Sequence, residues 1–256
     1  MRILLSNDDG VAAAGLEALI GALDAAGHEV IVAAPMHEQS GMAHAISVHK
    51  RIEVARAKEL EKKYDLEAWA IDGTPTDCVK IYLEAMQDQA KPIELVLSGI
   101  NHGANLATDV LYSGTVGAAL EGFLHNLSSA AVSLDKDSDL TFAKAAKFTA
   151  DYLDKLTSKE NTPFFYNINF PVNLADQKPN FVRATLGWRD YVNAFIKETD
   201  DDGREYFYIG GEVVDNDKDK PTDIWAVEQG YVSVTPLTVD WLDRVKFFAA
   251  GDPPGA

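Results

Sequence analysis

The sequence opens with MRILLSNDDG (residues 1–10), which has the pattern of a first β-strand and the turn that follows it. The apolar run Ile3–Leu5 is typical of a buried strand, and it ends in a polar turn that holds two adjacent acids, Asp8 and Asp9. The apolar residues that follow have the i, i+3, i+4, i+7 spacing of one helix face: Leu16, Leu19, Ile20 and Leu23. A strand followed directly by a helix predicts a β-α unit with both acids at the carboxyl end of the strand.

Strand-like and helix-like segments go on alternating beyond this first unit. Further strands are predicted at Glu29–Ala34, Leu66–Ile71, Glu94–Ser98 and Ser129–Leu134. Further helices are predicted from Thr74-Pro75, with Thr74 as N-cap, and over Gly114–Leu124 and Thr141–Leu156. This alternation predicts right-handed crossovers and therefore an α/β fold with a mainly parallel sheet.

The rest of the chain has a different, β-rich pattern. A strand is predicted at Phe164–Phe170, and a hairpin from the stretches Trp188–Ile196 and Glu205–Ile209, which flank the turn-forming sequence KETDDDGR. The segment EVVDNDKDKPTD (212–223) lacks periodicity and predicts an exposed loop. The remaining predicted elements are a short helix at 224–230, a strand at Tyr231–Thr235 and an amphipathic helix at Val239–Phe248. We expect a single domain over 1–256, with a core over about 1–180 and an extension over about 181–256.

The net charge of the chain restricts the kinds of molecule that it can bind. The chain has 40 acidic and 23 basic residues and a net charge of −17. Binding to nucleic-acid polymers draws on Lys and Arg contacts to phosphates, so it is not expected here. An anionic substrate would need a cation to mediate, although the excess acid can equally serve solubility.

Several classes of protein are disfavoured by simple features of the sequence. Cys78 is the single cysteine, which excludes an intrachain disulfide. No apolar run approaches the roughly 20 residues of a membrane span, and residues 1–30 carry no signal-peptide pattern. We therefore expect a cytoplasmic protein with no membrane partner.

Three polar, glycine-containing segments each follow a predicted strand: NDDG (7–10), EQSG (38–41) and a long segment over 98–122. Because the carboxyl ends of neighbouring parallel strands converge, these segments can bring together four side chains, Asp8, Asp9, Ser40 and Asn101. Two carboxylates, a hydroxyl and an amide oxygen form the all-oxygen ligand set that Mg²⁺, Mn²⁺ or Ca²⁺ favours. The sequence therefore predicts a divalent metal site at this edge of the sheet.

The long segment ends in YSGTVGAALEG (112–122), in which Ser113 can cap a helix that starts near Gly114. The free N–H groups of a helix N-terminus, together with the helix dipole, attract anions, and Ser113 and Thr115 add hydroxyls. A metal site beside such a phosphate cradle is typical of phosphatases. A plain serine N-cap is the alternative explanation of the same residues.

Taken together, these segments resemble the SurE family, survival protein E, metal-dependent 5′(3′)-nucleotidases and acid phosphatases. The resemblance runs along nearly the whole chain, and no single piece decides it. It is carried by ILLSNDDG, AAPMHEQSGMAHAIS, IDGTPTDCV, SGINHGANLATDVLYSGTVGAALEG, NINFP, YFYIGG and GYVSVTPLTVD.

The resemblance implies a Rossmann-like α/β fold with a C-terminal extension that contains a β-hairpin. In the family this extension exchanges between subunits, which implies a homodimer or homotetramer formed through the hairpin and the closing helix. It also implies one divalent metal ion per subunit, Mg²⁺ or Mn²⁺, held at the positions of Asp8, Asp9, Ser40 and Asn101. The implied substrates are nucleoside 5′- and 3′-monophosphates.

Roles for the remaining site residues follow as hypotheses. We expect the amide of Asn105, Ser113, Gly114 and Thr115 to hold phosphate oxygens. We expect Asp8 to orient or deprotonate the attacking water. Direct nucleophilic attack by Asp8 is the alternative mechanism, and a metal-binding regulatory protein without turnover is the alternative function.

Two positions depart from the family pattern. Ala107 stands in GANLATD where the family usually has glycine, and Arg51 stands where it often has proline. If residue 107 requires a positive φ, alanine would be strained there by about 1 kcal/mol or more. Neither residue is an expected ligand. Asp72 and Asp77 are interpreted as a turn residue and a helix cap, outside the site.

Overall fold

The computed structural model describes residues 1–157, 162–174, 178–217 and 221–239. The strands are β1 (Arg2–Ser6), β2 (Glu29–Pro35), β3 (Val54–Arg56), β4 (Glu67–Ile71), β5 (Leu95–His102), β6 (Ser128–Leu134), β7 (Phe165–Phe170), β8 (Phe181–Arg183), β9 (Arg189–Val192), β10 (Phe195–Thr199), β11 (Glu205–Ile209), β12 (Glu212–Asp215) and β13 (Val232–Pro236). The helices are α1 (Ala14–Ala25), α2 (Lys58–Tyr64), α3 (Pro75–Ile81), α4 (Gly114–Leu124), α5 (Phe142–Thr157) and α6 (Asp223–Glu228). A π-helical turn (Tyr82–Met86) follows α3, and a 3-10 turn (Ala107–Leu111) precedes α4. Within these ranges, no helix is long and apolar enough to cross a membrane.

The central sheet has nine strands in the order β3-β4-β2-β1-β5-β6-β7-β13-β8. The six strands from β4 to β7 in this order run parallel to one another. From β1 the chain moves outward to β2 and β4, and it then returns to the other side of β1 with β5. The direction of winding therefore reverses between β1 and β5. Open α/β sheets bind ligands outside the carboxyl ends of the strands at such a switch point.

Both faces of the sheet are buried, which explains the continuous apolar run of β1. Ile3 and Leu5 pack in one hydrophobic cluster with residues of α1 and α5. Leu4, which points to the opposite face, packs in a second cluster with residues of α3 and α4. A strand buried on both faces shows no polar alternation, so β1 could be predicted from its apolar length and the turn that follows it.

Gly15 allows α1 to approach the end of β5 closely. A Cβ atom at this position would lie 2.0 Å from the carbonyl oxygen of Ile100. We expect Gly15→Ala to lower the free energy of unfolding by about 2–3 kcal/mol, because backbone must move to admit the methyl group. The measurement is urea-induced unfolding.

Gly21 provides a matched control on the same helix. The nearest atom to a Cβ at this position is Cε1 of Tyr64, 4.0 Å away. We expect Gly21→Ala to stabilise the protein by about 0.5–1 kcal/mol through helix propensity and unfolded-state entropy. Effects of the same sign and size for the two variants would contradict the close contact at Gly15.

The predicted fold class, an α/β fold with a mainly parallel sheet and a C-terminal hairpin, is confirmed. The bounds of the hairpin differ from the prediction. The stretch Trp188–Ile196 is divided between β9, which pairs with β12, and the start of β10, and Lys197–Thr199 belong to β10 rather than to the turn. The prediction of an exposed loop over 212–223 was wrong in part. Glu212–Asp215 form β12 against β9, and Asp223 begins α6. The sequence reading also missed β3, α2 and β8. The predicted helix Val239–Phe248 lies, beyond its first residue, outside the described residues.

Candidate active site

A cleft of about 790 Å³ opens beside the carboxyl ends of β1 and β5. It brings together six of the eight predicted site residues: Asp8, Asp9, Ser40, Asn101, Asn105 and Ser113. The other lining residues are Glu38, Gly41, His102, Asp109, Tyr112, Tyr191, Ala194, Phe195 and Ile209. The two remaining predicted residues, Gly114 and Thr115, lie directly behind this surface at the start of α4.

Asp8 is a buried carboxylate, with 4% of its surface exposed. The hydroxyl of Thr115 donates a hydrogen bond to its Oδ1 atom. Burial, assisted by the nearby charge of Asp9, raises the pKa of Asp8 to about 6. The hydrogen bonds from Thr115 favour the charged form and offset part of this rise. A carboxyl group with such a pKa can exchange a proton near neutral pH.

Asp9 is more open to the cleft than Asp8. Its Oδ2 accepts a hydrogen bond from the backbone N–H of His102, at 3.3 Å. Burial raises the pKa of Asp9, and the charge of Glu38 adds to this effect. The hydroxyl of Ser40 donates to Oε1 of Glu38 at 2.8 Å, so Ser40 lies in the same carboxylate-rich corner.

The two asparagines of the site are held by backbone and side-chain contacts. The side-chain N–H of Asn101 donates to the carbonyl of Gly103 at 2.8 Å, which leaves its own carbonyl oxygen as the available ligand atom. The side-chain N–H of Asn105 donates to Oγ of Ser133 at 3.0 Å. A register shift in β5 between Ser98 and Asn101 carries the chain beyond the predicted end of that strand and into the cleft.

Asn167 and Asn169 of β7, which the sequence reading left unassigned, fix the backbone of Asn105. The N–H of Asn105 donates to Oδ1 of Asn169 at 2.8 Å. Its carbonyl accepts from the side-chain N–H groups of Asn167 at 2.7 Å and of Asn169 at 3.1 Å. The signal was present in the sequence NINF, since two asparagines on one face of an otherwise apolar strand need buried polar partners.

Helix α4 begins beside Asp8. Ser113 is its N-cap, and its hydroxyl accepts a hydrogen bond from the N–H of Val116 at 3.2 Å. A Cβ atom at Gly114 would lie 3.0 Å from Cβ of Asp8. The backbone N–H of Thr115, like its hydroxyl, is hydrogen-bonded to Asp8. The helix N-terminus therefore faces a carboxylate of the chain itself, and the phosphate role of Thr115 stays a prediction.

One wall of the cleft is aromatic and apolar, and most of it comes from the extension. Tyr112 precedes α4, whereas Tyr191, Phe195 and Ile209 belong to β9, β10 and β11. Arg189 anchors this wall to the rest of the site. Its guanidinium donates to Asp109 at 2.7 Å and to Asp215 of β12 at 2.7 Å.

Ala107 adopts the left-handed conformation that the family pattern suggested, with φ at 51°. Its N–H donates to Oδ2 of Asp223 at 2.8 Å, and Asp223 is fully buried. Oδ1 of Asp223 also accepts from the N–H of Gly187 at 2.9 Å. Asp223 therefore ties the site loop to the extension. The sequence reading missed it because the residue lies at the end of a charged segment interpreted as a loop.

The donor set at the cleft fits a hard divalent cation. The carboxylates of Asp8 and Asp9, the carbonyl oxygen of Asn101 and the hydroxyl of Ser40 are all oxygen donors. Among the described residues that line the cleft there is no Lys or Arg, so no side-chain ammonium or guanidinium takes the place of a metal ion there. Burial raises the pKa of both aspartates, so a cation bound between them would offset the cost of keeping them ionised.

A second group of donors lies away from this cleft. In the described part of the chain, Glu84, Glu121 and His125 are the one set of three carboxylate or imidazole donors within 4.8 Å of one another. None of the three lines the cleft. This carboxylate–histidine group can hold a metal, although Lys80 Nζ already contacts Glu84 at 2.6 Å and Glu121 at 3.2 Å.

An open, mainly parallel sheet with paired carboxylates and a helix N-terminus at its switch point defines a class of protein: a Rossmann-like α/β protein with an oxygen-ligand site. Comparison with known families narrows this class. The family model of survival protein SurE matches residues 3–193, and the chain belongs to that family.

Related proteins are similar along nearly the whole chain. A protein of Synechococcus sp. (strain JA-3-3Ab) is 43% identical over 94% of this chain and 92% of its own length. One of Syntrophomonas wolfei is 44% identical over 95% of this chain and 90% of its own length. Both are named 5′-nucleotidase SurE. The crystal structure of the SurE protein from Aquifex aeolicus matches with a TM-score of 0.78 and 31% identity, covering 98% of each chain.

Proposed function

We propose that this chain is a metal-dependent 5′-nucleotidase, which hydrolyses nucleoside 5′- and 3′-monophosphates to nucleoside and phosphate. The observation that carries the proposal is the charge of the cleft. Asp8, Asp9 and Glu38 line it without a facing Lys or Arg among its described residues. A phosphate monoester, itself an anion, would be repelled from such a site unless a cation bound first.

The two kinds of side chain that line the cleft suit the two halves of a nucleotide. Oxygen donors line it together with the exposed aromatic rings of Tyr112 and Phe195. Stacking of a base on an aromatic side chain contributes about 1–3 kcal/mol and tolerates different bases. Arg189 holds the aromatic wall of the cleft in place, which limits the entropy lost on binding.

Asp8, Asp9, Ser40 and Asn101 would hold one Mg²⁺ or Mn²⁺ ion. When bound, the ion supplies Lewis-acid activation and neutralises phosphate charge. Ser113, at the cleft surface beside the start of α4, and the side-chain amide of Asn105 would bind the remaining phosphate oxygens, whereas the hydroxyl of Thr115 is already bound to Asp8 behind that surface.

Asp8 orients the attacking water and accepts its proton. The water oxygen bonds to phosphorus as the ester bond breaks, and the nucleoside oxygen leaves and takes up a proton. The alternative is attack by Asp8 itself on phosphorus. A borohydride-reducible aspartyl-phosphate on Asp8 would show that this alternative applies.

The extension would also form the contact between subunits in a homodimer or homotetramer. Besides Phe195 and Ile209, which line the cleft, the hairpin β10–β11 exposes large apolar side chains to a degree unusual for a monomer: Ile196, Phe207 and Tyr208. The closing helix, which the sequence predicts beyond the described residues, would add to the same contact.

The test is phosphate release from a panel of nucleoside 5′- and 3′-monophosphates, first in EDTA and then with added Mg²⁺ or Mn²⁺. We expect release only with metal, and at least a hundred-fold loss in Asp9→Ala. Ribose 5-phosphate, which keeps the ester but lacks the base, should show a KM at least ten-fold higher, because a lost stacking contact of about 1.4 kcal/mol corresponds to that factor. No release with any metal from the folded protein would favour a metal-binding regulatory protein instead.

A further inference from the structure

Glu121 is a buried carboxylate of α4 that the proposed chemistry does not use. It is 4% exposed and is surrounded by three basic side chains. Its Oε2 contacts Nε2 of His44 at 2.8 Å. Its Oε1 contacts Lys80 and His125, both at 3.2 Å. Burial alone would raise the pKa of Glu121, but the hydrogen bonds from His44 and Lys80 outweigh it and lower the pKa to about 2.

The cluster around Glu121 is an ion-pair network. The ammonium of Lys80 contacts both Glu84 and Glu121, which is the position that a metal ion bound to these two carboxylates would take. The charges of the two glutamates are therefore already offset within the chain. The three basic partners of Glu121 come from different segments of the chain. Of the three, His44 alone belongs to the loop that carries Ser40.

The loop that carries Ser40, residues 36–49, has no regular secondary structure. Contacts near both of its ends hold it in position. The N–H of Gln39 donates to the carbonyl of Asp8 at 2.7 Å. The hydroxyl of Thr74 donates to the carbonyl of Ala45 at 2.7 Å, and Asp77 accepts from the N–H of Ser47 at 2.9 Å. The His44–Glu121 pair lies between these anchors and ties the middle of the loop to α4.

Helix α4 is shaped to receive this loop. A Cβ atom at Gly117 would lie 2.1 Å from the carbonyl oxygen of Ala43, so the loop rests directly on the helix backbone. Thr115, two residues earlier, holds Asp8. Glu121 follows Thr115 by six residues, or ~9 Å along a helix. One rigid helix thus contacts both Asp8 and the loop that carries Ser40.

We propose that Glu121 and His44 are positioning residues for the metal site, which fix the 36–49 loop on α4 so that Ser40 meets Asp8 and Asp9. This inference rests on the proposed function, because it takes Ser40 as a metal ligand. Neither residue touches the substrate or the ion. Their effect is on the geometry, and therefore the affinity, of the ligand set.

The test is Mn²⁺ binding to the metal-free protein by titration calorimetry, together with kcat and KM, in His44→Ala and in its matched control His125→Ala. Both variants remove one histidine from Glu121, but only His44 belongs to the loop. We expect His44→Ala to raise the Mn²⁺ dissociation constant about ten-fold, close to the effect of Ser40→Ala, while kcat at saturating Mn²⁺ stays within three-fold of wild type. His125→Ala should stay within two-fold in both quantities. His44→Gln, which can still donate to Glu121, should recover most of the affinity.

Wild-type affinity in His44→Ala would overturn the positioning role. Equal losses in His44→Ala and His125→Ala would also overturn it, because they would place the effect in the stability of α4. Failure of the proposed function looks different. A wild-type protein that bound Mn²⁺ but released no phosphate would overturn the proposed function alone, whereas a wild-type protein that bound no Mn²⁺ would overturn the positioning role as well.

Discussion

Asp8→Asn is expected to raise the stability of the metal-free protein at pH 7.5 while lowering kcat/KM for nucleotides by about a thousand-fold. The structure explains the first effect by the cost of a buried charge. Burial raises the pKa of Asp8 from 3.8 to about 6. A shift of two units corresponds to about 3 kcal/mol of unfavourable free energy in the ionised, folded state. Asparagine is neutral and removes this cost.

The pH dependence of this effect follows from the sign of the shift. The folded state takes up the proton of Asp8 more readily than the unfolded state, so wild-type stability falls as the pH rises from about 4 to about 6. Asp8→Asn lacks this titration. The difference between the two proteins should be near zero at pH 4 and reach about 3 kcal/mol above pH 7.

Thermal unfolding in EDTA between pH 4 and pH 8 measures this difference. Asp9→Asn is the matched control, because Asp9 is more exposed and should give a smaller gain. Added Mn²⁺ should stabilise the wild type far more than Asp8→Asn, since the variant lacks one carboxylate ligand. A lower melting temperature for Asp8→Asn at pH 7.5 in EDTA would show that the charge of Asp8 is compensated in the folded protein.

The convergence of Asp8, Asp9, Ser40 and Asn101 on one cleft could be predicted from sequence, because it depends on local patterns and one general property of parallel sheets. Asp8 and Asp9 directly follow a strand whose apolar run is continuous. The segments with Ser40 and Asn101 also follow strands, and the carboxyl ends of parallel strands converge. The N-cap role of Ser113 follows from its place before a helix, and the structure shows it.

The contacts that hold the site together could not be predicted in this way, because they join residues distant in sequence. Arg189 pairs with Asp109, 80 residues away, and Asp223 binds the N–H of Ala107, 116 residues away. Short or exposed helices and strands were also missed, because their sequences carry no apolar pattern that would reveal them. Helix α2 buries no residue and so shows no apolar stripe, and β12 has four residues whose partner strand is not evident from its sequence.

The start of α4 shows a further limit of prediction from sequence. Sequence predicts that a helix N-terminus attracts an anion, but it does not say which one. In the structure, the hydroxyl and N–H of Thr115 are directed to Asp8. They favour the ionised form of a carboxylate whose burial disfavours it. Thr115 therefore tunes the group proposed to accept a proton from water, whatever it contributes to phosphate binding.

The other large effect that we expect is a loss of stability on removal of the carboxylate of Asp223. This fully buried carboxylate accepts hydrogen bonds from three backbone N–H groups, those of Ala107, Gly187 and Ile224. Ala107 needs such an anchor because its φ of 51° is unfavourable for a residue with a Cβ atom. Without Asp223, the loop that precedes α4 would lose the contact that holds this conformation.

We expect Asp223→Ala to lower the free energy of unfolding by about 4 kcal/mol, because it leaves buried N–H groups without an acceptor. It should also raise KM, since the loop carries Asn105 and Asp109. Asp190→Ala is the control, because Asp190 is an exposed aspartate that accepts two hydrogen bonds, from the side chains of Trp188 and Asn216. Asp223→Asn, which keeps one acceptor oxygen, should be intermediate. Urea unfolding and hydrogen exchange at the Ala107 and Gly187 amides measure the effect. If Asp223→Ala changed the free energy of unfolding and the exchange rates as little as Asp190→Ala does, the loop would be held by its packing alone.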